Sequence, residues 1–289
     1  MSAAPPPSPI EFPRGTALPK QSPLFWVHQK DRYLRQLLIR DIEDMTGRDL
    51  IVYFSDCTTN AQVDPGDDVY LAELLGGVQR KGVDLLLETN GGYTDATEKI
   101  CSMLLGMTDD LRVLVPRKAK SNGTVLTFTG STIVMGAMSE LGPIDPNIPL
   151  GPGQNVPADL IVRTSVANPG TQAPLIVQLA KMAILQTTKL ATTVLAARLL
   201  KGKPQPDIDE LVRKIASRDH YHSHGSAIDH REAGALGLNV TFLPLDDPLW
   251  NRLWLLRTMY DHDCRMHKFS KLFESARLSS GIAVASPTP

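Results

Sequence analysis

The sequence lacks a charge excess and any long apolar run, and each absence excludes a class of protein. Lysine and arginine total 30 against 31 aspartates and glutamates, which gives a formal net charge of −1. A balanced charge gives no electrostatic reason to expect a nucleic acid or an anionic membrane surface as a partner. No apolar stretch approaches the roughly 20 residues that a bilayer-spanning helix needs. We therefore expect no membrane span and no nucleic-acid partner.

Cysteine is also scarce, since only Cys57, Cys101 and Cys264 occur, far apart in the chain. An odd count without paired spacing is not a disulfide framework and indicates reduced thiols, as in the cytosol. Residues 1–23 contain no apolar core of the kind that a secretory signal needs. Both observations favour a cytoplasmic location.

The composition is that of a globular protein, with 42% hydrophobic and 21% charged residues in a chain of 289. This length is enough to bury a large core. Residues 1–23 are rich in proline and predict a disordered arm, because proline fixes φ and removes a hydrogen-bond donor. We divide the rest into a main domain over 24–247, a C-terminal helix over 248–278 and a flexible tail over 279–289.

Short apolar runs alternate with amphipathic stretches through the first half of the chain. Such alternation is typical of an α/β fold with a parallel sheet and helical crossovers. The runs predict strands at residues 50–54, 83–88, 111–115, 132–135 and, later in the chain, 239–243. The stretches between them predict helices at residues 29–44, 67–80, 95–107 and 124–129.

The pattern changes beyond residue 142. Residues 142–170 are rich in proline and glycine and predict a long loop, in which 160–166 could form a strand. On the last helix of the chain, one face carries a stripe of large apolar residues that indicates either core or a subunit contact. This stripe consists of Leu249, Leu253, Leu256 and Tyr260. The helices predicted in this half lie at residues 171–201, 207–217, 229–236 and 248–272.

The first segment that suits catalytic chemistry is Thr89-Asn90-Gly91-Gly92, directly after the second predicted strand. Two glycines permit a sharp turn whose N–H groups are free to face a small anion. An ordinary tight turn is the alternative interpretation.

The second segment is Lys120-Ser121-Asn122-Gly123-Thr124, after the third predicted strand. Ser121 stands at the entrance to a helix, where free N–H groups favour developing negative charge. The alternative is that this serine is only an N-cap.

The third segment, residues 220–225, reads His-Tyr-His-Ser-His-Gly. Histidine is the usual base that activates a serine hydroxyl near neutral pH. In an extended segment the three imidazoles would share one face, so a metallohydrolase site is a rival interpretation. Solvated histidines in a polar loop are the third.

In combination these segments are more specific than they are singly. Together with Leu-Gly-Pro-Ile-Asp-Pro at 141–146 and SHGSAIDHREAGALGLNV at 223–240, they resemble the serine dehydrogenase proteinase family and its signal peptide peptidase A type relatives. The resemblance covers roughly residues 50–240. It implies the ClpP/crotonase fold: an α/β spiral of β-β-α units around a mainly parallel sheet, here with helical C-terminal additions. Members usually form rings or stacked trimers, so a homo-oligomer is expected.

The resemblance also implies a function and roles for individual residues. Ser121 would be the nucleophile of a serine-type peptidase that cleaves a peptide or protein substrate through an acyl-enzyme. The turn glycines Gly91 and Gly92 and the residue after the serine, Asn122, would provide the oxyanion-hole N–H groups. No metal or organic cofactor is implied.

The base and its partner follow from the Ser, Asp, His order of the family along the chain. Asp145 would orient the imidazole, and His224 would act as base. His222 is an alternative base, and His220 and Asp229 are further substitutes for these two roles.

The sequence departs from the family pattern at three positions. Asn90 replaces a proline, Asn122 replaces a glycine, and Lys120 replaces a small or apolar residue. None of these changes removes a required group. A lysine (Lys99, Lys118 or Lys120) could replace the histidine as base, although polar neighbours at Lys118 and Lys120 oppose the desolvation that this role needs.

Two other functions are compatible with the same segments. A crotonase-like enzyme would use the oxyanion hole on an acyl-coenzyme A thioester, usually with an acidic residue as base. A non-catalytic oligomeric scaffold would keep only the fold. A serine followed by a histidine-rich stretch favours the peptidase.

Overall fold

A seven-stranded sheet organises the chain in the computed structural model, which describes residues 22–59, 61–151, 153–170 and 173–284. The strands are β1 (Asp49–Ser55), β2 (Gly82–Glu88), β3 (Asp110–Val115), β4 (Lys118–Ala119), β5 (Thr132–Gly136), β6 (Glu140–Leu141), β7 (Asn147–Gly151), β8 (Gln154–Pro157), β9 (Val240–Leu243), β10 (Phe269–Ser275) and β11 (Ser279–Ala283). The helices are α1 (Pro23–His28), α2 (Lys30–Thr46), α3 (Asp67–Gly76), α4 (Thr94–Met107), α5 (Asn122–Thr127), α6 (Ala158–Ala167), α7 (Pro174–Ala197), α8 (Gln205–Ile215), α9 (His230–Ala235) and α10 (Pro248–His267).

The main sheet is mostly parallel. Its strand order is β11-β10-β1-β2-β3-β5-β9, in which the five strands from β1 to β9 run parallel and β10 and β11 run antiparallel to their neighbours. Two small sheets, β4–β6 and β7–β8, lie outside it. The predicted α/β fold with a mainly parallel sheet is confirmed.

Alternate side chains of the central strands enter two different cores, because successive residues of a strand point to opposite faces. In β1, Ile51 and Tyr53 join a core shared with α3, α4, α5, α7 and α8. Leu50, Val52 and Phe54 join a second core shared with α2 and α10. Burial on both faces explains why the strand is one continuous apolar run.

All five predicted strands are present, and seven of the eight predicted helices lie within about four residues of their predicted bounds. The strand considered at 160–166 is wrong, since α6 covers that segment. Ala158 and Ile161, three residues apart, pack with Ala180 of α7 in a small separate core. The predicted loop over 142–170 therefore contains the β7–β8 hairpin and a helix.

The predicted helix over 248–272 is wrong beyond His267, because the chain turns back into β10 and then β11. The charges of β10 resemble those of an exposed helix. In the structure Lys271 lies 2.8 Å from an Asp67 oxygen, and Glu274 lies 2.7 Å from the Arg35 guanidinium. Both charged side chains of this strand are therefore buried, each against a partner of opposite charge.

Two predicted segments fall partly or largely outside the described residues. Of the proline-rich arm over 1–23, only residues 22 and 23 are described, and the latter begins α1. Of the predicted tail over 279–289, the described part reaches residue 284 and forms β11.

The apolar stripe of α10 belongs to the core. Leu253, Leu256 and Tyr260 are fully buried in the second core. Trp250 covers Gly136 so closely that a side chain at that glycine would collide with the indole ring. The stripe is therefore not a free subunit contact. Within the described part of the chain, no helix has the length and apolar character required to cross a bilayer.

The buried Arg35 cluster predicts a large dependence of stability on one side chain. Arg35 binds Glu274 at 2.7 and 3.1 Å and also contacts Asp263, and all three side chains are less than 10% exposed. We expect Arg35→Met to lower the free energy of unfolding by about 3–5 kcal/mol, because two buried carboxylates lose their cation. Urea denaturation followed by circular dichroism measures this. Arg213→Met, at the exposed Arg213–Glu210 pair of α8, is the control and should not move the midpoint. An equally small effect at Arg35 would contradict the argument.

Candidate active site

Ser121 occupies a strained turn between β4 and α5. Its φ of 51° and ψ of −123° lie in a region that residues other than glycine rarely adopt. Such strain costs roughly 1–3 kcal/mol and persists only where the surroundings enforce it. The buried Thr124 hydroxyl provides restraint, since it lies 2.8 Å from the Ala119 carbonyl oxygen and accepts the Gly142 N–H at 3.0 Å.

The glycine turn after β2 packs directly against the serine turn. Gly91 has a φ of 92°, and a Cβ there would lie 2.7 Å from the Lys120 carbonyl oxygen and 2.9 Å from the Ser121 Cβ. Gly92 faces Val63 so closely that a Cβ would collide with its backbone. Only glycine fits at either position, so the sequence signal of two glycines reflects a close approach.

Two backbone N–H groups beside Ser121 are free of protein acceptors. Gly91 N–H donates to the Thr89 hydroxyl at 3.1 Å. Val63 binds the residues on either side of Gly92, because its N–H donates to Gly91 and its carbonyl accepts from Tyr93, both at 2.9 Å. Within the described residues no acceptor binds the N–H of Gly92 or that of Asn122. Both residues line the same cleft as Ser121.

The side chain of Asn122 links the two turns. Its amide donates to the Gly92 carbonyl oxygen at 2.6 Å and to the Thr94 hydroxyl at 3.1 Å, and the residue is 6% exposed. The amide therefore fixes the peptide that follows Gly92 relative to the serine. Sequence reasoning considered only the backbone of Asn122, and no local signal indicated this side-chain role.

His224 and Asp145 form a hydrogen-bonded pair beside the serine turn. The imidazole Nδ1 lies 2.9 Å from Asp145 Oδ1, which leaves Nε2 as the ring nitrogen not bound to the carboxylate. Asp145 is 1% exposed, while the His224 side chain is 31% exposed and lines the cleft with Ser121. The fold thus brings together the serine, the histidine and the aspartate that the sequence singled out.

Asp145 has a second partner, Arg218, that sequence reasoning missed. The Arg218 Nε lies 2.6 Å from Asp145 Oδ2, although its N–H is not directed along a hydrogen bond. Arg218 follows α8 in a polar stretch, where a charged residue is ordinarily solvated. Its partner is 73 positions earlier, so no local pattern could have identified the contact.

The other two histidines are placed differently. His222 is exposed, and its Nδ1 lies 3.1 Å from the Arg218 carbonyl oxygen. His220 packs edge-on against Tyr221. Asp229 caps α9 by accepting two backbone N–H groups. These residues do not line the cleft.

The geometry does not support a metal site at residues 220–225. Across the described residues, the cluster of three possible metal ligands is Asp31, Asp263 and His267, between α2 and α10. There Arg35 already binds Asp263, and His267 Nε2 lies 2.9 Å from Asp31.

The candidate lysine bases do not face the serine hydroxyl. Burial lowers the pKa of the Lys120 amine, which would suit a base. Its Nζ, however, donates to the carbonyls of Leu141 at 3.1 Å and Ser226 at 2.9 Å, and lies 3.2 Å from Glu140. Lys99 and Lys118 do not line the cleft. Lys120 therefore links its own turn to β6 and to the loop that contains Ser226.

The cysteines do not offer a competing nucleophile. All three are free, and burial raises the pKa of the Cys57 and Cys264 thiols to about 12. Burial also raises the pKa of the Cys101 thiol. A thiolate is therefore disfavoured at each position near neutral pH.

The cleft has a volume of about 500 Å³ and a polar lining without Asp, Glu, Lys or Arg. Its walls carry five amide side chains, which can donate and accept hydrogen bonds without charge. The lining includes Gln62, Asn90, Asn122, Asn147, Asn155, Tyr93, Ile144, Thr187, Ser121 and His224.

Two proteins of Methanocaldococcus jannaschii are similar in sequence to part of this chain. The uncharacterized protein MJ0137 of Methanocaldococcus jannaschii is 28% identical over 160 residues, which are 55% of this chain and 54% of that protein. The uncharacterized protein MJ1495 of the same organism is 30% identical over 74 residues, 26% of this chain and 25% of the other. The chain thus spans about half the length of the first relative and about a quarter of the second.

Two solved structures align partially. A mutant of the 1510-N membrane-bound stomatin-specific protease aligns with a TM-score of 0.44 and 15% identity, over 66% of this chain and 79% of that one. A mutant of ClpP1 from Listeria monocytogenes aligns with a TM-score of 0.43 and 13% identity, over 75% of this chain and 99% of the other.

The family comparison matches a larger and continuous part of the sequence. It extends over residues 68–250, more than half of the chain, and includes the glycine turn, the serine turn and the histidine segment. The chain belongs to the family of ClpP-like SDH-type serine proteinases.

Proposed function

We propose that this protein hydrolyses peptide bonds with Ser121 as nucleophile. The observation that carries the proposal is the convergence, on one cleft, of a strained serine, two free backbone N–H groups and a histidine held by a buried carboxylate. These are the parts that acyl transfer requires.

The geometry supports the following sequence of steps. Ser121 Oγ attacks the peptide carbonyl while His224 Nε2 accepts its proton, and the Gly92 and Asn122 N–H groups bind the oxyanion. The tetrahedral intermediate collapses, the C–N bond breaks, and His224 returns the proton to the leaving amine. Water then attacks the acyl-enzyme with His224 again as base, which releases the acid and restores the serine. The steps need no metal or organic cofactor.

The cleft favours a peptide over a charged small substrate. Amide side chains can pair with both the N–H and the carbonyl groups of an extended chain. A coenzyme A thioester carries several phosphate charges, and the lining residues offer no cation to meet them. A peptide or protein segment is therefore the proposed substrate.

We also propose a homo-oligomer, built through α7 instead of α10. Along α7, Leu175, Leu179, Met182 and Leu185 recur every three to four residues and are 51–70% exposed. This apolar stripe suits packing against a helix of a second copy.

The free state of the three cysteines supports a cytoplasmic location.

A fluorophosphonate probe tests the nucleophile. We expect one adduct per chain by intact mass, no adduct in Ser121→Ala, and labelling at least about 100-fold slower in His224→Ala, because the base is lost. Ser102→Ala, which removes an exposed serine of α4, should label like the wild type. Absence of an adduct on the folded protein would favour the scaffold or the crotonase-like function, and copurified coenzyme A would indicate the latter.

Asn122→Ala tests the oxyanion hole. The variant keeps the backbone N–H but loses the contacts to Gly92 and Thr94, so the Gly92 N–H is held less firmly. We expect kcat for a peptide substrate to fall roughly 10-fold to 100-fold, somewhat less than removal of a donor costs, with KM changed less than about twofold. An unchanged kcat would show that the amide does not support the hole.

Light scattering tests the assembly. We expect a molar mass that is a multiple of 31.6 kDa, and a lower mass for Leu179→Lys. The matched control is Leu255→Lys, because Leu255 is 53% exposed on α10 and Leu179 is 51% exposed. A monomeric wild type, or equal effects of both substitutions, would contradict the proposed interface.

A further inference from the structure

We infer that Arg218 is a positioning residue for the histidine base, acting through Asp145. The inference rests on the proposed function, since it assigns Arg218 a part in how His224 presents Nε2 to Ser121. The contacts that carry it are Asp145 Oδ1 to His224 Nδ1 at 2.9 Å and Asp145 Oδ2 to Arg218 Nε at 2.6 Å.

The buried carboxylate of Asp145 needs a countercharge. Asp145 is 1% exposed, and an ionised carboxylate is costly to bury unless it is paired. The imidazole engages one oxygen and carries a full charge only when protonated. Over the described residues, Arg218 is the permanent cation within 4 Å of this carboxylate. Arg218 therefore supplies the countercharge of the buried carboxylate, which a neutral imidazole does not.

The Asp145 carboxylate also needs a defined orientation to present Oδ1 to His224. A carboxylate with only one bound oxygen can rotate about its terminal torsion, whose energy wells are broad. The hydrogen bond at Oδ1, 2.9 Å from His224 Nδ1, and the cation 2.6 Å from Oδ2 restrict this rotation from both sides of the Asp145 group. Oδ1 is then held toward Nδ1, which selects the tautomer with the proton on Nδ1 and the lone pair on Nε2.

Arg218 is itself anchored. Its guanidinium donates to the His222 carbonyl at 3.2 Å, and its own carbonyl oxygen lies 3.1 Å from the His222 ring. The Ile215 carbonyl at the end of α8 accepts the Ile144 N–H at 2.9 Å, beside Asp145. Two contacts thus join the segment before His224 to the segment of Asp145. One is the hydrogen bond between Ile144 and Ile215, and the other is the ion pair between Arg218 and Asp145.

The primary test is Arg218→Gln, with NMR of ¹⁵N-histidine-labelled protein and steady-state kinetics. We expect the downfield His224 Nδ1 proton resonance to broaden or move upfield, because Oδ1 is no longer held toward it. We expect kcat to fall about 10-fold or more, within the range that general-base catalysis spans, with KM changed less than about twofold. Arg218→Lys keeps the charge and should restore part of both signals.

The control removes an arginine of α6 that contacts the same loop through Asp219. Arg163→Gln breaks the exposed pair with Asp219, at 2.6 Å, and does not touch Asp145. It should keep the wild-type resonance and kcat. If Arg163→Gln reproduces the effects of Arg218→Gln, the role is general support of the loop and the inference is overturned. A wild-type resonance in Arg218→Gln overturns it as well.

The resonance also separates this inference from the proposed function. It is measured in the Ser121→Ala protein, which needs no hydrolysis. A resonance that responds to Arg218 there, in a protein whose wild type fails to label with fluorophosphonate, would support the positioning role and reject the peptidase. If Arg218→Gln does not fold, the resonance of Arg218→Lys decides, since an unaltered signal in that variant contradicts orientation by the planar guanidinium.

Discussion

The close approach of the turn after β2 to the turn after β4 is the constraint on which the site depends. A Cβ at Gly91 would lie 2.7 Å from the Lys120 carbonyl oxygen, and one at Gly123 would lie 2.6 Å from the Thr89 side chain. The turn after β2 leaves the carboxyl edge of the main sheet, where strand ends of an α/β fold commonly form sites, and Thr89 there bridges to Ala119 of β4. Any side chain between them would separate the Gly92 N–H from Ser121.

Buried ion pairs determine how the remaining segments meet around that sheet. Arg35 with Glu274 fixes the C-terminal hairpin to α2, and Arg257 with Glu88, at 2.8 Å, ties α10 to the end of β2. Replacing a whole buried pair with apolar residues is often neutral for stability, whereas removing one partner is costly. We therefore infer that these pairs serve mainly to define which segments pack together. Asp145 is likewise a buried carboxylate paired with an arginine, and this pair joins two segments beside the serine turn.

The sequence was sufficient to predict those elements whose signal lies within a few neighbouring residues. Continuous apolar runs predicted the buried strands. The glycine turn was identified because a close approach restricts which residues fit, and the serine turn because it stands at the entrance to a helix. The family order predicted the pairing of Asp145 with His224, which no local pattern would have shown.

The rest depends on long-range contacts. The segment Phe269–Ser275 carries Lys271 and Glu274, so it resembles an exposed helix until Asp67 and Arg35 are placed beside it. Arg218 likewise resembles a solvated residue until Asp145 is known to face it. No periodicity encodes a partner that lies many residues away.

The bond between Lys271 and Asp64, at 2.8 Å, ties β10 to the segment beneath the glycine turn. Asp64 follows Val63, the residue that braces Gly92, and its partner on β10 lies 207 residues further along the chain. Contacts of such separation form slowly, because a long loop must close first. We therefore expect this support beneath the glycine turn to form only after β10 has joined the sheet. A chain shortened before β10 would keep Ser121 and Gly92 but lose that support.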